Sequence, residues 1–301
     1  MQRAGHQGFT LIELSIVLVI IGLIVGGVLV GQDLIRAAQV RAQISQIEQY
    51  NAAVNTFRDK YGGLPGDLNA SAASQFGFQP RGAIPGEGDG NGVIQGVNGN
   101  GSDTVDGSYE GRGETGTFWA DLGSAHFVPG ANLISGQFWG YETGTSGYTI
   151  TATTANSISD ILPAAKIGAG NYVYVWSGGV TGNDGTNYYG LSAITSIPFD
   201  YAPTSATTLT VQQAFSIDKK VDDGFPQTGN VLAIYLNKAI SGTGAVWAAG
   251  GGVAGTSDTS ATPGSATTCY DNGNVGGATQ QYSVEISNGA GANCALSFRF
   301  Q

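Results

Sequence analysis

The feature that most constrains this chain is an apolar run near its amino terminus. Residues 14–30 are 17 positions with Ser15 as the only polar side chain. That length is the lower limit for spanning a bilayer core, and the residues at 9–12 extend it to a full span. Because no small-residue cleavage site follows the run, an ordinary secretory signal peptide fits poorly, and the segment is expected to be retained.

A single carboxylate, Glu13, lies at the start of this span. Carrying it into hydrocarbon costs about 2.5 to 3.5 kcal/mol unless a cation pairs with it. Two interpretations are open. Glu13 lies at the membrane interface of a plain anchor, or it has a cationic partner within an assembly.

Beyond the span, apolar residues recur at spacings of three, four and seven, which is the pattern of one side of an amphipathic helix. They are Val40, Ile44, Ile47, Val54, Phe57 and Tyr61. The pattern predicts one helix over residues 9–61, about 80 Å long at about 1.5 Å per residue. Gly62, Gly63 and Pro65 should end it.

Residues 62–301 are expected to form one globular head, because no charged or Pro-rich linker divides them. The 49 glycines and 11% charged residues favour a loop-rich β structure, and 13 Tyr, 12 Phe and 4 Trp can supply its core. Strands are predicted at 172–176, 188–194, 231–237, 282–286 and 295–300, and a short helix at 117–127. The expected fold class is therefore α+β, with the long helix packed on an antiparallel β-sheet and long Gly-rich loops at 86–116 and 248–268.

The sequence GFTLIE at residues 8–13, preceded by a basic leader with Arg3, resembles the prepilin signature of type IV pilins and type II secretion pseudopilins. The resemblance implies that prepilin peptidase cuts between Gly8 and Phe9 and methylates the new amine of Phe9. It also implies that Glu13 docks each subunit to its neighbour, whose Phe9 amine is then the missing cation. Four segments follow: a leader at 1–8, a membrane-spanning or filament-core half-helix at 9–31, an amphipathic half-helix at 32–61, and the head.

The function implied by this resemblance is a structural subunit of a type IV pilus or related filament, polymerised through its amino-terminal helix. A pseudopilin of a type II secretion system and a minor tip pilin acting in adhesion are the alternatives. The implied partners are homologous subunits, the peptidase and an inner-membrane assembly platform. The chain would first be a single-pass inner-membrane precursor and then part of a periplasmic or extracellular filament.

Charge and residue types argue against two other classes of function. The formal charge is −10, and a surface of that sign repels nucleic acid. The histidines are His6, in the leader, and His126, within an apolar helical pattern. Since neither a zinc-type cluster nor a phosphate-binding loop accompanies them, no enzymatic activity is expected.

Two acidic, Gly-rich stretches are candidate calcium sites, because Ca²⁺ prefers several hard oxygen ligands on a tight turn. One offers Asp218, Asp222 and Asp223, and the other offers Glu87, Asp89 and Asn91. Pseudopilins are similar in having a calcium-stabilised loop. The alternative for both stretches is a turn held by bonds from Asp side chains to the backbone.

Cys269 and Cys294 are the only cysteines and lie 25 positions apart. In an exported chain this favours a disulfide. Closing a loop of that size adds roughly 3 to 4 kcal/mol in the chain-entropy model. Many type IV pilins are similar in tying down a carboxy-terminal loop in this way.

Overall fold

The computed structural model describes residues 10–78, 88–97, 105–106, 113–128, 150–151, 158–178, 185–197, 202–238, 244–248 and 263–300. The helices are α1 (Leu11–Tyr61), α2 (Ala70–Phe76), α3 (Gly113–Ser124) and α4 (Val211–Val221), with short 3-10 turns at Ile158–Asp160 and Ile286–Gly289. The strands are β1 (Gly96–Val97), β2 (Val105–Asp106), β3 (Ile150–Thr151), β4 (Tyr172–Ser177), β5 (Asn187–Ile197), β6 (Thr204–Ala206), β7 (Val231–Leu232), β8 (Ile234–Leu236), β9 (Ala245–Trp247), β10 (Tyr270–Asp271), β11 (Gln281–Tyr282) and β12 (Leu296–Arg299).

The long helix predicted from the apolar periodicity is confirmed as α1, which runs for 51 residues. Thr10 caps its amino terminus, and Gly62 ends it in the left-handed conformation at φ 82°, where a residue without Cβ is favoured. Its apolar stripe packs on the head, with Val40, Ile47, Val54 and Phe57 buried and Ile44 and Tyr61 half-buried against the core.

A six-stranded antiparallel sheet is the centre of the head, and β5 is its longest strand. The first half of β5 lies between β4 and β12, and its second half pairs with β3 and β6. β7 extends the sheet beyond β12. This arrangement confirms the predicted α+β class and the predicted strands at 172–176, 188–194 and 295–300.

An aromatic cluster joins α1 to the sheet through α3. Tyr50 of α1 lies 4.8 Å from Trp119 and 6.0 Å from Tyr189 of β5, measured between ring centroids. Tyr189 in turn stacks on Phe300 at 4.2 Å. Aromatic pairs of this kind contribute about 0.5 to 1.5 kcal/mol beyond the area that they bury, so the cluster fixes the second half of α1 to the head.

Several predicted elements differ from the structure. The strand at 231–237 is interrupted at Ala233, whose N–H bonds to the carbonyl of Pro226 instead of a ladder partner. The prediction of a strand at 282–286 was wrong beyond Tyr282, because the chain turns there into the 3-10 segment Ile286–Gly289. The helix predicted at 117–127 begins earlier, at Gly113, and ends at Ser124.

Helix α4 was not predicted, and the acidic residues at its end were assigned to a loop. Its buried positions Val211, Ala214 and Ile217 have helical spacing, and Thr210 and Gln213 form a capping box at its start. The loop predicted at 86–116 contains β1, β2 and the start of α3 in its described parts. The loop predicted at 248–268 lies largely outside the described residues.

Candidate functional site

The amino terminus of α1 holds Glu13 in a capping box with Thr10. The Glu13 carboxylate accepts hydrogen bonds from the backbone N–H and the hydroxyl of Thr10, both at 2.8 Å. The Glu13 N–H donates in return to the Thr10 hydroxyl at 3.3 Å. Both bonds to the carboxylate use the same oxygen, Oε2, so the carboxylate is directed back toward the start of the helix. Gly8 and Phe9 lie outside the described residues.

In the described part of the chain, the first half of α1 is not buried by the head. Its large apolar side chains, from Leu11 to Ile35, are 50% to 89% exposed. Within the described ranges, α1 is the one helix long and apolar enough to cross a membrane. Such a surface requires lipid or other apolar helices around it.

The second half of α1 is tied to the head by two buried glutamines. The Gln43 side-chain oxygen accepts from the Ile167 N–H at 3.1 Å, and that of Gln46 accepts from the Lys166 N–H at 3.0 Å. The Gln46 amide also donates to the Ala164 carbonyl at 3.0 Å. These bonds hold the loop before β4 on the helix, so the head and this half of α1 form one packed unit.

The first acidic cluster, Asp218, Asp222 and Asp223, lies at the carboxyl end of α4. Oxygen atoms from the three carboxylates come within 4.8 Å of one another. Asp218 is fully buried and accepts from the Tyr282 hydroxyl at 2.8 Å and the Gly224 N–H at 3.0 Å. Burial raises the pKa of Asp218 to about 7.

The other two carboxylates of this cluster organise the turn after α4. Asp222 accepts from the N–H groups of Asn230 and Val231, and Asp223 accepts from the Phe225 N–H at 2.8 Å. The cluster is therefore brought together as the sequence predicted, with hydrogen bonds from the protein on each member. Whether it binds calcium stays a prediction.

The second acidic cluster consists of Asp67, Asp89 and Glu114, whose carboxylate oxygens also lie within 4.8 Å of one another. Asp67 accepts from the N–H groups of Gly90 and Gly92, both at 2.8 Å. Glu114 accepts from the Gly88 N–H at 3.0 Å and from a second donor, the Gln95 N–H, at 2.8 Å. The two side chains thus hold the loop 88–95 by its backbone.

Burial raises the pKa of both side chains, because a carboxylate loses hydration inside the protein. The pKa of Asp67 rises to about 6 and that of Glu114 to about 9, the latter also through the neighbouring charge of Asp67. Of the residues predicted here, Asp89 joins the cluster, whereas Asn91 donates its amide to Asp89 and Gln95. Glu87 lies outside the described residues.

Asp67, Glu114 and Thr10 were not identified from the sequence. Thr10 carried a recognisable signal, since Thr-x-x-Glu before an apolar run is the sequence pattern of a capping box. Asp67 and Glu114 flank the Gly-rich loop at distances of 22 and 25 residues from Asp89. Each is an acidic residue in an otherwise apolar or Gly-rich stretch, and this was the one feature of the sequence that could have identified them as site residues.

Near the carboxyl end, Cys269 and Cys294 form a disulfide with Cα atoms 5.0 Å apart. Both residues are fully buried. The backbone of Cys294 also exchanges two hydrogen bonds with Leu209, each at 3.0 Å. The cross-link therefore joins the residue before β10 to the segment between the 3-10 turn Ile286–Gly289 and β12, which also pairs with the residues before α4.

These features define a class of protein: an α+β chain with a long helix whose first half is apolar and exposed and whose second half carries a β-sheet head. Residues 3–29 match the model of the prokaryotic N-terminal methylation motif. The chain thus carries the signature of type IV pilins and pseudopilins, which are typically structural proteins. Comparison with curated proteins and with solved structures finds no match to this chain.

Proposed function

We propose that this chain is a structural subunit of a type IV pilus or a related filament. It is made as a single-pass membrane precursor, cut between Gly8 and Phe9 by prepilin peptidase, and polymerised through α1. The observation that carries this proposal is continuity: the methylation motif at residues 3–29 leads without a break into a helix of 51 residues. Its first half is exposed and apolar, as a segment that exchanges lipid for neighbouring helices must be.

The geometry of Glu13 supports a role in subunit docking. The capping box directs the Glu13 carboxylate toward the end of the helix at which cleavage creates a new amine. One oxygen of the carboxylate, Oε2, accepts the bonds from Thr10, and the other, Oε1, is available for a further donor. In a filament, the Phe9 amine of a neighbouring subunit is the donor of matching charge.

The size of the head favours a minor or specialised subunit over the main filament protein. About 240 residues follow α1, and a bulky head limits how closely subunits can stack along a filament. The pseudopilin role and the tip-adhesion role share the processing, the membrane segment and the docking residue. Imaging filaments with an antibody to the head, in cells with and without the secretion system, separates these roles.

Mass spectrometry of the mature amino terminus tests the proposal directly. We expect the chain to begin at Phe9 with an N-methyl group and to be unprocessed in cells that lack the peptidase. A matched control is Gly8→Ser, which leaves the apolar span intact but removes the glycine before the cut. A mature chain that begins beyond the apolar span would contradict the proposal, because the helix needed for assembly would be lost.

A further inference from the structure

A groove of about 470 Å³ lies where α1 leaves its apolar span. One wall is α1 at Asp33, Arg36 and Val40, the second is α4 at Ser216 and Lys220, and the third is the 3-10 segment Ile286–Gly289. The groove belongs neither to the helix tip that carries Glu13 nor to the two acidic clusters. Its position and its chemistry both indicate a ligand.

The position corresponds to the headgroup layer of a bilayer. If the span ends at Val30, Arg36 lies about 9 Å further along the helix axis at about 1.5 Å per residue. The polar zone on each side of a bilayer core is about 5 to 8 Å thick, and arginine reaches back toward the interface with its long stem.

The charge of the groove is opposite to that of the molecule. Two cations, Arg36 and Lys220, line it against one acid, Asp33, on a chain whose formal charge is −10. Arg36 lies 3.9 Å from Asp33, and both side chains are mostly exposed, so the pair is weak. Within the described part of the chain, Lys220 forms no ion pair. Ser216 accepts from the Gln212 amide at 3.2 Å, which leaves its own hydroxyl proton to donate.

The third wall is held in an unfavourable backbone conformation. Ser287 and Asn288 have φ values of 50° and 53°, and Gly289 follows at 65°. Residues with a side chain adopt this conformation rarely, Asn more readily than most. Gly289 lies close against α4, because a Cβ at this position would lie 2.9 Å from the Gln212 nitrogen. The turn is thereby kept against α4 as a preformed wall.

We propose that this groove binds the phosphate-bearing headgroup of an anionic membrane phospholipid while the subunit is held in the bilayer. Arg36 and Lys220 neutralise the phosphate, and Ser216 donates a hydrogen bond to it. The lipid would set the height and tilt of the head above the membrane before assembly. This inference rests on the proposed membrane-anchored precursor.

The test uses the full-length protein in nanodiscs that contain phosphatidylcholine and phosphatidylglycerol. Native mass spectrometry measures the ratio of the two lipids retained on the protein. We expect phosphatidylglycerol to be enriched. Arg36→Gln and Lys220→Gln should each lower that preference about fivefold, and the double variant about thirtyfold, as expected for two cations near an anionic surface. Arg58→Gln is the matched control, since it removes one exposed cation from the far end of α1. Equal lipid ratios for the wild type and the double variant would overturn the inference.

A photoreactive residue at Ser216 identifies the occupant in cells. A covalent adduct with phospholipid in the membrane pool supports the inference. Adducts with only a second copy of this chain would overturn it and assign the groove to a contact between subunits. Full-length protein that is absent from the membrane fraction would instead show that the proposed precursor is wrong, so the two failures are distinguishable.

Discussion

At the scale of single residues, the close approach of Tyr174 and Gly190 shows how tightly the sheet is packed. The two residues are register partners on β4 and β5, and the Tyr174 ring lies over the glycine. The Tyr174 hydroxyl accepts from the Leu236 N–H at 3.0 Å and from the Ser192 hydroxyl at 3.3 Å. These bonds fix the ring, so the space over position 190 is closed.

We therefore expect Gly190→Ala to destabilise the protein by about 3 kcal/mol, at the upper end of the usual cost of overpacking. An ideal Cβ at this position would lie 2.2 Å from two atoms of the Tyr174 ring. Urea unfolding of the full-length protein in detergent measures the loss. In a Tyr174→Ala background the same substitution should cost much less, because the ring is gone. Equal costs in both backgrounds would contradict the packing argument.

A second prediction at this scale concerns pH. Asp218 has a pKa of about 7 in the folded protein, against 3.8 as the ordinary value, so it binds a proton on folding. Its contribution to stability is present below about pH 4 and is lost as the pH rises through about 7. The raised pKa values of Asp67 and Glu114 act in the same direction. Stability should therefore fall between pH 5 and pH 8.

Thermal unfolding across this pH range, with a chelator present, checks the prediction. Asp218→Asn should flatten the curve, since an amide keeps the shape of the side chain but does not titrate. Asp59→Asn serves as the control, because it removes an exposed carboxylate on α1 that belongs to neither acidic cluster. A wild-type curve that rises with pH would show that these carboxylates are stabilised in their charged form.

At the scale of elements, the sequence was sufficient to predict the helix and strands whose residues follow a regular local pattern. The spacing of Val40, Ile47 and Phe57 was sufficient to predict α1, and the unbroken aromatic and β-branched residues at 172–176 were sufficient to predict β4. The break between β7 and β8 was not predictable, because the residues on both sides of Ala233 form one apolar run. The break is determined by the hydrogen bonds of Ala233 to Pro226 and Ala248, both of which lie outside this run.

The candidate sites also differ in whether a local sequence pattern could predict them. The helix-tip residues Glu13 and Thr10 are three positions apart, and a short motif contains them both. Asp67 and Glu114 are 47 positions apart, and only the folded head shows that both hold the loop around Asp89. Pairings across such distances depend on tertiary structure, which a single sequence does not encode as a local pattern.

The two loops that carry the acidic clusters are the elements at which calcium is expected to act. If calcium binds with the weak affinity typical of extracellular modules, 10 mM calcium should raise the melting temperature by roughly 3 to 10 °C. A chelator should reverse the change. Asp222→Ala should abolish the part of the rise in melting temperature that comes from calcium at the end of α4. Asp89→Ala should abolish the part that comes from calcium at the loop 88–95. Unchanged melting with calcium and with chelator would leave both loops as turns held by hydrogen bonds alone.

At the scale of the whole molecule, α1 is divided between two environments. Its side chains are largely exposed up to residue 38, and burial against the head begins at Val40. Burying the exposed apolar surface is favourable by about 25 cal/mol per Å², either in lipid or against other helices. Since both environments are apolar, this term does not choose between them. If the chain assembles as proposed, polar groups such as Glu13 are therefore expected to make assembly specific.

The final prediction separates the two roles of Glu13 by comparing two substitutions. Glu13→Gln keeps the capping box, because Gln at this position can accept from the Thr10 N–H as Glu does, but it removes the charge. Glu13→Ala removes both. If Glu13 neutralises the Phe9 amine of a neighbour, both variants leave that amine buried without its partner, at a cost of about 3 to 5 kcal/mol for each added subunit. Both proteins should then accumulate in the membrane, fully processed, and be scarce in sheared filaments. Thr10→Ala, which weakens the cap but keeps the carboxylate, should reduce assembly less. Normal filament entry by the Gln variant, with loss only in the Ala variant, would show that Glu13 acts as a helix cap rather than as the partner of an amine.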